Sequence, residues 1–389
     1  MFSLVYWRIT AGLLRRRFAP DKTRVGPYQL NELPPAVFFR PVKAGVPALR
    51  DKAERLLTAA RPGDQVLFGV DNSSDLAECE AACAAAQPDI EATVICCEPS
   101  RAPNPKIGKL MQLAEYARNP QREHWIVTDS EALVSRAFMN AFRTEWLDGG
   151  ASALTAGYRF TGAEHWSQRL DHLPALLTLW PGLAVAEWAA RGSARARTKG
   201  LGFTLGACTG VRRDDLLALG GWEVLGTWLA EDHRLGAILA SAGKPVQLAR
   251  EVLSLDADPV GKRGFSGWLD WLCHQHRVTL TYRVCNPGGA LGMILTHGVT
   301  CALLFALLNP AFPADWIVLM AVAGVRVIVA GQNARLLAFP VTGRRVEFAI
   351  LVILASLAET GFWLVAWLPL PVRWGSRWLW VGAGGEIKA

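Results

Sequence analysis

Charged residues are scarce in this chain of 389 residues, at 19%, against roughly 25% in an average soluble domain. The sequence contains no CxxC pair and no spacing of cysteines and histidines that suits zinc. Its length excludes a small disulfide scaffold, and its 51% hydrophobic content excludes a disordered chain. We therefore expect all eight cysteines to be reduced thiols, and the part of the chain outside a membrane to face the cytosol.

The apolar excess lies in the last hundred residues, where three stretches are candidates for membrane spans: about 289–308, 316–331 and 348–368. Arg326 and Glu359 fall inside the second and third stretches, and we expect them to pair with each other. Basic residues are concentrated in the connector between these two stretches. The positive-inside rule places that connector, and with it the preceding domain, in the cytoplasm. This pattern predicts a multi-pass protein of the inner (cytoplasmic) membrane.

Two further segments suggest contact with a membrane surface. Residues 1–18 are apolar, too short to span a bilayer, and closed by three arginines, which favours an interfacial anchor over a frayed terminal helix. Residues 160–200 interleave tryptophan with basic residues. That segment fits a helix at a membrane surface and equally a buried helix followed by a solvated basic loop.

Residues 36–285 show the alternation of short apolar runs and helical stretches that predicts an α/β domain. The predicted strands are 36–42, 65–71, 92–98, 124–129 and 151–158, and the helices between them are 47–60, 75–86 and 106–118. Such an order predicts a mainly parallel sheet, which binds ligands at the carboxyl ends of its strands. Asp71 and Asp129 are the last residues of two predicted strands, so we expect both at that edge.

Asp129 and Glu131 stand two residues apart on the loop after a strand. Carboxylate oxygens spaced in this way can share a divalent cation such as Mg²⁺ or Mn²⁺, together with phosphate and water. A solvated acidic loop gives the same pattern.

A turn formed by Asn104 and Pro105 delivers Lys106 to the start of a predicted helix. A lysine beside free helix N–H groups suits a diphosphate. An ordinary helix start, with proline near its first position, explains the same residues.

Two more clusters of polar residues follow. Glu231 and Asp232 open an amphipathic helix, where acids serve as dipole partners unless one of them acts as a base. His274 and Arg277 precede the first membrane candidate. The arginine there can neutralise a phosphate leaving group or bind lipid headgroups.

The order of these pieces, followed by membrane spans, resembles the ceramide glucosyltransferase family, which includes the bacterial hopanoid N-acetylglucosaminyltransferases. The resemblance covers roughly residues 36–285 and the apolar C-terminal part. Five stretches match the family's motifs: Gly69-Val70-Asp71 (V-x-D), Asn104 to Met111 (N-P-K-I-x-x-L-M), Asp129-Ser130-Glu131 (D-S-x), Gly206 to Gly221 (G-x₅-R-x-D-x-L-x₃-G-G) and Ala230-Glu231-Asp232 (A-E-D). The family's final motif, Gln/Arg-x-x-Arg-Trp, is altered here to His274-Gln275-His276-Arg277-Val278.

This resemblance implies a GT-A-type glycosyltransferase on a membrane base. It places the catalytic domain at 36–285. The residues themselves predict about three transmembrane helices within 286–370, and the family's usual N-terminal membrane span is missing here or reduced to the short anchor at 1–18. The implied reaction is a single inverting displacement that moves glucose or N-acetylglucosamine from a UDP-sugar to the hydroxyl of a lipid such as ceramide or a hopanoid. The implied partners are thus the UDP-sugar, the lipid acceptor and the membrane, with no nucleic acid.

The resemblance also assigns roles to residues. Asp232 would be the general base. Asp129 with Glu131 would hold Mg²⁺ or Mn²⁺ on the donor diphosphate. The remaining donor contacts would come from Asp71, Lys106, His274 and Arg277.

Two other functions fit parts of the sequence. A processive polysaccharide synthase also joins this type of domain to membrane spans, but it would normally keep the intact final motif and have more spans. A degenerate, non-catalytic membrane scaffold fits the altered final motif, but the retention of Asp71, Asp129 and Asp232 argues against it.

Overall fold

The computed structural model describes residues 1–19, 33–163, 165–192, 200–256, 265–340, 345–375 and 377–388. Contacts within the chain group the described residues into two compact units. The sheet unit holds 33–158 together with 189–256, and the helical unit holds 1–19, 159–188 and 265–388. Residues 159–188 and 265–285, which lie inside the predicted domain 36–285, therefore pack with the apolar C-terminal helices. The domain limits drawn from the sequence remain a prediction.

The main strands belong to one sheet. They are β1 (Ala36–Pro41), β2 (Gln65–Val70), β3 (Glu91–Cys96), β4 (His124–Thr128), β5 (Ala132–Leu133), β6 (Ala153–Thr161), β7 (Cys208–Arg212) and β8 (Val246–Asp256). Their order across the sheet is β3-β2-β1-β4-β7-β6-β8-β5. The first four neighbours pair in parallel, with Phe38 of β1 in register with Val66 of β2 and Ile126 of β4.

The other half of the sheet is built differently. β7 pairs antiparallel with both β4 and β6, and β5 pairs antiparallel with β8. The predicted α/β fold with a parallel sheet is confirmed for β1 to β4. The later strands, where strands and helices no longer alternate regularly, form the antiparallel half.

The α-helices within the described residues are α1 (Phe2–Arg17), α2 (Leu49–Ala59), α3 (Ser73–Ala84), α4 (Pro105–Ala114), α5 (Arg136–Gly149), α6 (Trp166–Pro174), α7 (Trp180–Arg191), α8 (Arg213–Ala218), α9 (Glu231–Ser241), α10 (Phe265–Cys285), α11 (Pro287–Gly292), α12 (Gly298–Leu308), α13 (Pro313–Leu336) and α14 (Arg345–Val365). A π-helical turn at Ala175–Leu179 joins α6 to α7. A small sheet at the C-terminus contains β9 (Val372–Trp374), β10 (Arg377–Val381) and β11 (Ile387–Lys388).

A buried arginine ties the centre of the large sheet together. β1 is buried along its whole length, and its Arg40 is fully buried among apolar side chains. The guanidinium donates to the main-chain oxygens of Lys52 (2.8 Å) and Ala132 (3.0 Å), and to the hydroxyl of Thr128 (3.2 Å). Burial lowers the pKa of Arg40 to about 10. Because Thr128 and Ala132 flank the loop after β4, this arginine fixes that loop to the core.

Among the described residues, three helices are long and apolar enough to cross a membrane: Trp166–Arg191, Pro313–Leu336 and Arg345–Val365. The second and third contain the predicted spans 316–331 and most of 348–368. The first shows that the segment 160–200 contains a long apolar helix. Whether this helix lies at a membrane surface or is buried stays a prediction, and residues 193–199 lie outside the described part of the chain.

The predicted first span, 289–308, is not one straight helix. It consists of the pair Pro287–Thr296 and Gly298–Leu308, bent by 53° at the break. Gly288, Gly289, Gly292 and Gly298 each lower the helix propensity of this stretch, which weakens a continuous helix there.

The N-terminal helix α1 packs inside the helical unit along one face. Trp7, Thr10 and Leu14 are buried, whereas Phe2 and Ile9 are exposed. The regular spacing of the buried residues gives α1 one packed face and one apolar face that remains open. The helix Phe2–Arg17 is thus formed and packed along one face, while the choice between an interfacial anchor and a frayed terminal helix remains a prediction.

Arg326 and Glu359 pair as the sequence predicts. Their side chains meet across α13 and α14 at 3.3 Å. Arg326 also donates to the hydroxyl of Ser356 (3.2 Å), and Glu359 accepts from the hydroxyl of Thr178 (2.6 Å). The ring of Trp7 lies under the guanidinium, with its centroid 4.8 Å away. Each charge in this pair is thus balanced by specific neighbours, which supports the structural role expected for it.

Candidate functional site

The start of α4 is built by its cap. Asn104, which is fully buried, accepts hydrogen bonds from the main-chain N–H groups of Lys106 (3.0 Å) and Ile107 (3.3 Å), and Pro105 occupies the first helical turn. The Asn104 amide donates in turn to the main-chain oxygen of Trp228 (2.8 Å) and to Glu231 (3.1 Å). The Asn-Pro-Lys turn therefore fixes the start of α4 against the start of α9.

Lys106 lies among carboxylates that come from distant parts of the sequence. Its ammonium is 2.7 Å from Asp129 at the end of β4 and 2.9 Å from Glu231 at the start of α9. It also donates to the main-chain oxygen of Gly206 (3.5 Å). Burial alone would lower the pKa of Lys106, but the charges of Asp129 and Glu231 outweigh it and raise that pKa, so the side chain stays an ammonium.

Asp232 is the third carboxylate of this group. One of its oxygens accepts from the main-chain N–H of His233 (2.7 Å). Burial, reinforced by the negative charge of Glu231, raises the pKa of Asp232 to about 7, although Lys106 opposes this shift. A carboxyl with such a pKa accepts and releases a proton near neutral pH, as a general base must.

Gly206 leaves the space in which these charges meet. A Cβ atom at this position would lie 3.1 Å from a carboxylate oxygen of Asp232, 3.3 Å from the ammonium of Lys106 and 3.5 Å from an oxygen of Asp129. We call Lys106, Asp129, Glu231, Asp232 and Gly206 the acidic cluster. The cluster holds three carboxylates around one lysine.

Asp129 and Glu131, the predicted metal pair, are held by different partners. Glu131 lies 3.5 Å from the ammonium of Lys43 and accepts from the hydroxyl of Ser130 (3.0 Å). Burial would raise the pKa of Glu131, but Lys43 and this hydrogen bond lower it overall, whereas burial raises the pKa of Asp129. Among the described residues, no group of three or more His, Cys, Asp or Glu side chains is arranged to ligate a metal.

Asp71 lies after β2, at the same edge of the parallel strands as Asp129, as predicted. Its carboxylate is about half exposed and contacts the buried ammonium of Lys109 at 2.5 Å. Lys109 also donates to the main-chain oxygen of Val42. The lysine thus holds Asp71 at the sheet edge while leaving one side of its carboxylate open.

His274 and Arg277 lie on α10 in the helical unit. Nδ1 of His274 is 2.8 Å from both carboxylate oxygens of Asp171 on α6, and the amide of Gln275 donates to the same carboxylate (2.9 Å). Residue Val278 replaces the family's tryptophan and is exposed.

The sequence analysis missed the parts played by Glu231, Lys109 and Asp171. Glu231 figured there only as an acid in a helix's first turn, yet it binds Lys106 from 125 positions away. Lys109 follows Lys106 by three residues, so both lie on the same face of α4. This spacing could have indicated Lys109 as a second lysine that contacts a carboxylate. Asp171 lies among other polar residues of α6, so its sequence neighbourhood gave no signal for the contact with His274.

Comparison with known proteins identifies the chain. The sequence profile of Glycosyl transferase family 21 matches residues 1–387. The chain belongs to glycosyltransferase family 21. The sequence resemblance to the ceramide glucosyltransferase-like family is thereby confirmed at the level of the family, and the family 21 chain is a glycosyltransferase.

One solved structure adds the fold. The mannosyltransferase PcManGT from Pyrobaculum calidifontis, determined in complex with GDP-Man and Mn²⁺, is similar to this family 21 chain with a TM-score of 0.51 and 16% identity. The similarity covers 94% of this chain and 93% of the mannosyltransferase. It confirms the predicted GT-A-type fold. No match to the chain was found among curated proteins.

Proposed function

We propose that this protein is an inverting glycosyltransferase that moves glucose or N-acetylglucosamine from a UDP-sugar to the hydroxyl of a membrane lipid such as ceramide or a hopanoid. The observation that carries the proposal is the acidic cluster, in which three carboxylates surround one lysine at the carboxyl ends of the parallel strands. The three carboxylates outnumber the single lysine, and this excess of negative charge suits a site that receives a proton and a cation during the reaction.

Asp232 is the proposed general base. The lipid oxygen forms its bond to the anomeric carbon of the sugar while the bond from that carbon to the diphosphate breaks. The proton of the lipid hydroxyl passes to Asp232, whose pKa of about 7 matches this task. Attack from the face opposite the diphosphate inverts the anomeric centre.

A divalent cation fits the donor set of the cluster. Mg²⁺ and Mn²⁺ prefer hard oxygen ligands, and Mg²⁺ is commonly bound by one or two carboxylates plus substrate phosphates. Asp129 offers an oxygen toward Gly206 beside the one paired with Lys106, and Glu131 stands two residues further along. We propose that Asp129 with Glu131 holds Mg²⁺ or Mn²⁺, which would stabilise the charge of the departing diphosphate.

Other side chains would bind the donor. Lys106 and Arg277 supply positive charge for the diphosphate, His274 a ring nitrogen, and Asp71 an exposed carboxylate oxygen for the uridine. Asp71 is well suited because Lys109 fixes it while about half of the side chain stays accessible.

The helical unit supports a lipid as the acceptor. Its helices Pro313–Leu336 and Arg345–Val365 are long and apolar enough to cross a bilayer. We propose a multi-pass protein of the inner membrane with the catalytic part at 36–285 on the cytoplasmic side, an N-terminal anchor at 1–18, spans within 286–370, and no nucleic-acid partner.

A transfer assay tests the proposal. The detergent-purified full chain would receive labelled UDP-glucose or UDP-N-acetylglucosamine with Mn²⁺ or Mg²⁺, and ceramide, a hopanoid polyol or diacylglycerol as acceptor. We expect label in the organic phase that depends on the metal ion and on one lipid. Donor left intact with every lipid, in the presence of either ion, would overturn the proposal.

A further inference from the structure

We infer that Asp171 is a positioning residue for the altered final motif: it fixes the imidazole of His274 so that Nε2 is left to contact the sugar-nucleotide donor. The inference rests on the proposed function, in which His274 is a donor contact. It explains how a chain that has histidine where the family has glutamine or arginine can keep a defined donor contact at this position.

The geometry is that of a carboxylate clamped onto one ring nitrogen. Both oxygens of Asp171 lie 2.8 Å from Nδ1 of His274, and one of them also accepts from the Gln275 amide at 2.9 Å. Gln275 is buried, which holds the carboxylate from its other side. The His274 side chain keeps 36% of its surface exposed, against 23% for Asp171. The carboxylate is thus the enclosed partner, and the imidazole is the accessible one.

This contact selects the state of the ring. A carboxylate only accepts hydrogen bonds, so Nδ1 must carry the hydrogen that it donates to Asp171. Across the described parts of the chain, Nε2 of His274 makes no hydrogen bond, so it is available to a ligand. Without Asp171, the hydrogen would move between the two ring nitrogens, and the ring would rotate about its bonds to the backbone.

A glutamine at position 274 would not need this help. Its amide always presents both an N–H donor and a carbonyl oxygen, whatever lies beside it. The requirement for Asp171 should therefore exist only while residue 274 is histidine. A purely structural Asp171, which merely joins α6 to α10, would be needed equally in both backgrounds.

A double-mutant cycle separates these cases. Asp171→Asn, His274→Gln and the double variant would be compared for kcat and KM of the donor, with thermal unfolding measured for each. We expect Asp171→Asn alone to lower kcat/KM for the donor about tenfold, the lower end of the usual effect of removing a carboxylate that orients a functional histidine. In the His274→Gln background, the same change should have less than about a twofold effect.

A matched control comes from the same helix. Asp270 lies one turn before His274 on α10 and pairs with Arg373 of β9. Asp270→Asn removes a carboxylate whose exposure, 33%, is similar to the 23% of Asp171. This change should leave kcat/KM for the donor unchanged. An equal loss from Asp171→Asn in both backgrounds, or no loss in either, would overturn the inference.

A spectroscopic measurement keeps the inference testable apart from transfer activity. In the ¹⁵N-histidine spectrum of the full chain, the His274 signals are identified by their absence in His274→Gln. We expect a protonated Nδ1 in the wild type, and a shift of the Nε2 signal on addition of UDP that Asp171→Asn abolishes. A protonated Nε2 with bare Nδ1, or an Nε2 signal indifferent to UDP, would contradict it. Lack of transfer to any lipid, with this UDP response intact, would instead count against the proposed function.

Discussion

Each of the two units of this protein contains a cation paired with carboxylates, but the number of carboxylates around the cation differs. In the helical unit, Arg326 has one carboxylate, Glu359, and the other groups that contact the pair are neutral: two hydroxyls, the main-chain oxygen of Leu177 and the ring of Trp7. In the sheet unit, Lys106 contacts two carboxylates and has a third nearby. The balanced pair holds helices together, whereas the unbalanced cluster retains capacity for a proton or a further cation. Chemistry is therefore expected where the charges do not cancel.

The largest expected effect is on turnover when the unbalanced cluster loses its proton acceptor. Asp232→Asn keeps the size of the side chain but removes its basicity, so kcat should fall by about 10²–10⁴-fold. Donor binding should persist, because Asp71 and Lys106 are untouched. The transfer assay gives kcat, and titration with UDP gives donor binding. Wild-type turnover in Asp232→Asn would remove this residue from the mechanism.

The second effect concerns the balanced pair. Arg326→Met leaves Glu359 buried without its cation, and removing one partner of a buried ion pair typically costs about 3–5 kcal/mol. The double variant Arg326→Met with Glu359→Leu should recover most of that loss. Thermal unfolding in detergent, followed by tryptophan fluorescence, measures both.

A control for this comparison lies on the same helix. Arg335 is exposed near the end of α13, and Arg335→Met should change stability by about 0.5 kcal/mol or less. If the single Arg326→Met variant is as stable as this control, the pair does not hold the helices together and the contrast between the units fails.

The smallest expected effect is a dependence of stability on pH. The pKa of Asp232 is about 7 in the folded chain, above its ordinary value of 3.8, because the side chain is buried beside Glu231. The folded state therefore holds this proton more tightly, and the stability that it contributes is present below pH 3.8 and lost as pH rises through 7. With no donor or metal ion added, Asp232→Asn should melt a few degrees above the wild type at pH 8 and level with it at pH 4. An equal difference at both pH values would show that Asp232 is not held with a raised pKa.

The sequence predicts the parallel half of the sheet well because its features are local. Strands β1 to β4 are short apolar runs separated by helices, and the residues that follow them, Asp71 and Asp129, lie where the topology of a parallel sheet requires. The cap formed by Asn104 is equally local, since it depends on three consecutive residues.

Contacts between residues far apart in the sequence could not be predicted in the same way. Asp171 meets His274 across 103 positions, and Asn104 meets Glu231 across 127. No periodicity links residues so far apart, and only the packing of one element on another brings them together. The break at 297 in the predicted first span escaped notice for a related reason, because composition reports how apolar a stretch is and not whether its helix is continuous.

Gly206 has a consequence for how this protein can change over time. Charged residues in the acidic cluster have chemical relatives, such as glutamate for aspartate, that preserve part of their behaviour. Glycine has none: every other amino acid adds a carbon atom at a point 3.1 Å from Asp232 and 3.3 Å from Lys106. A single nucleotide change here would place an additional carbon atom in the volume beside the charges of the cluster. The side chains of Asp232 and Lys106 would then have to move by a few tenths of an ångström, so the cluster can be altered through the one member that carries no charge.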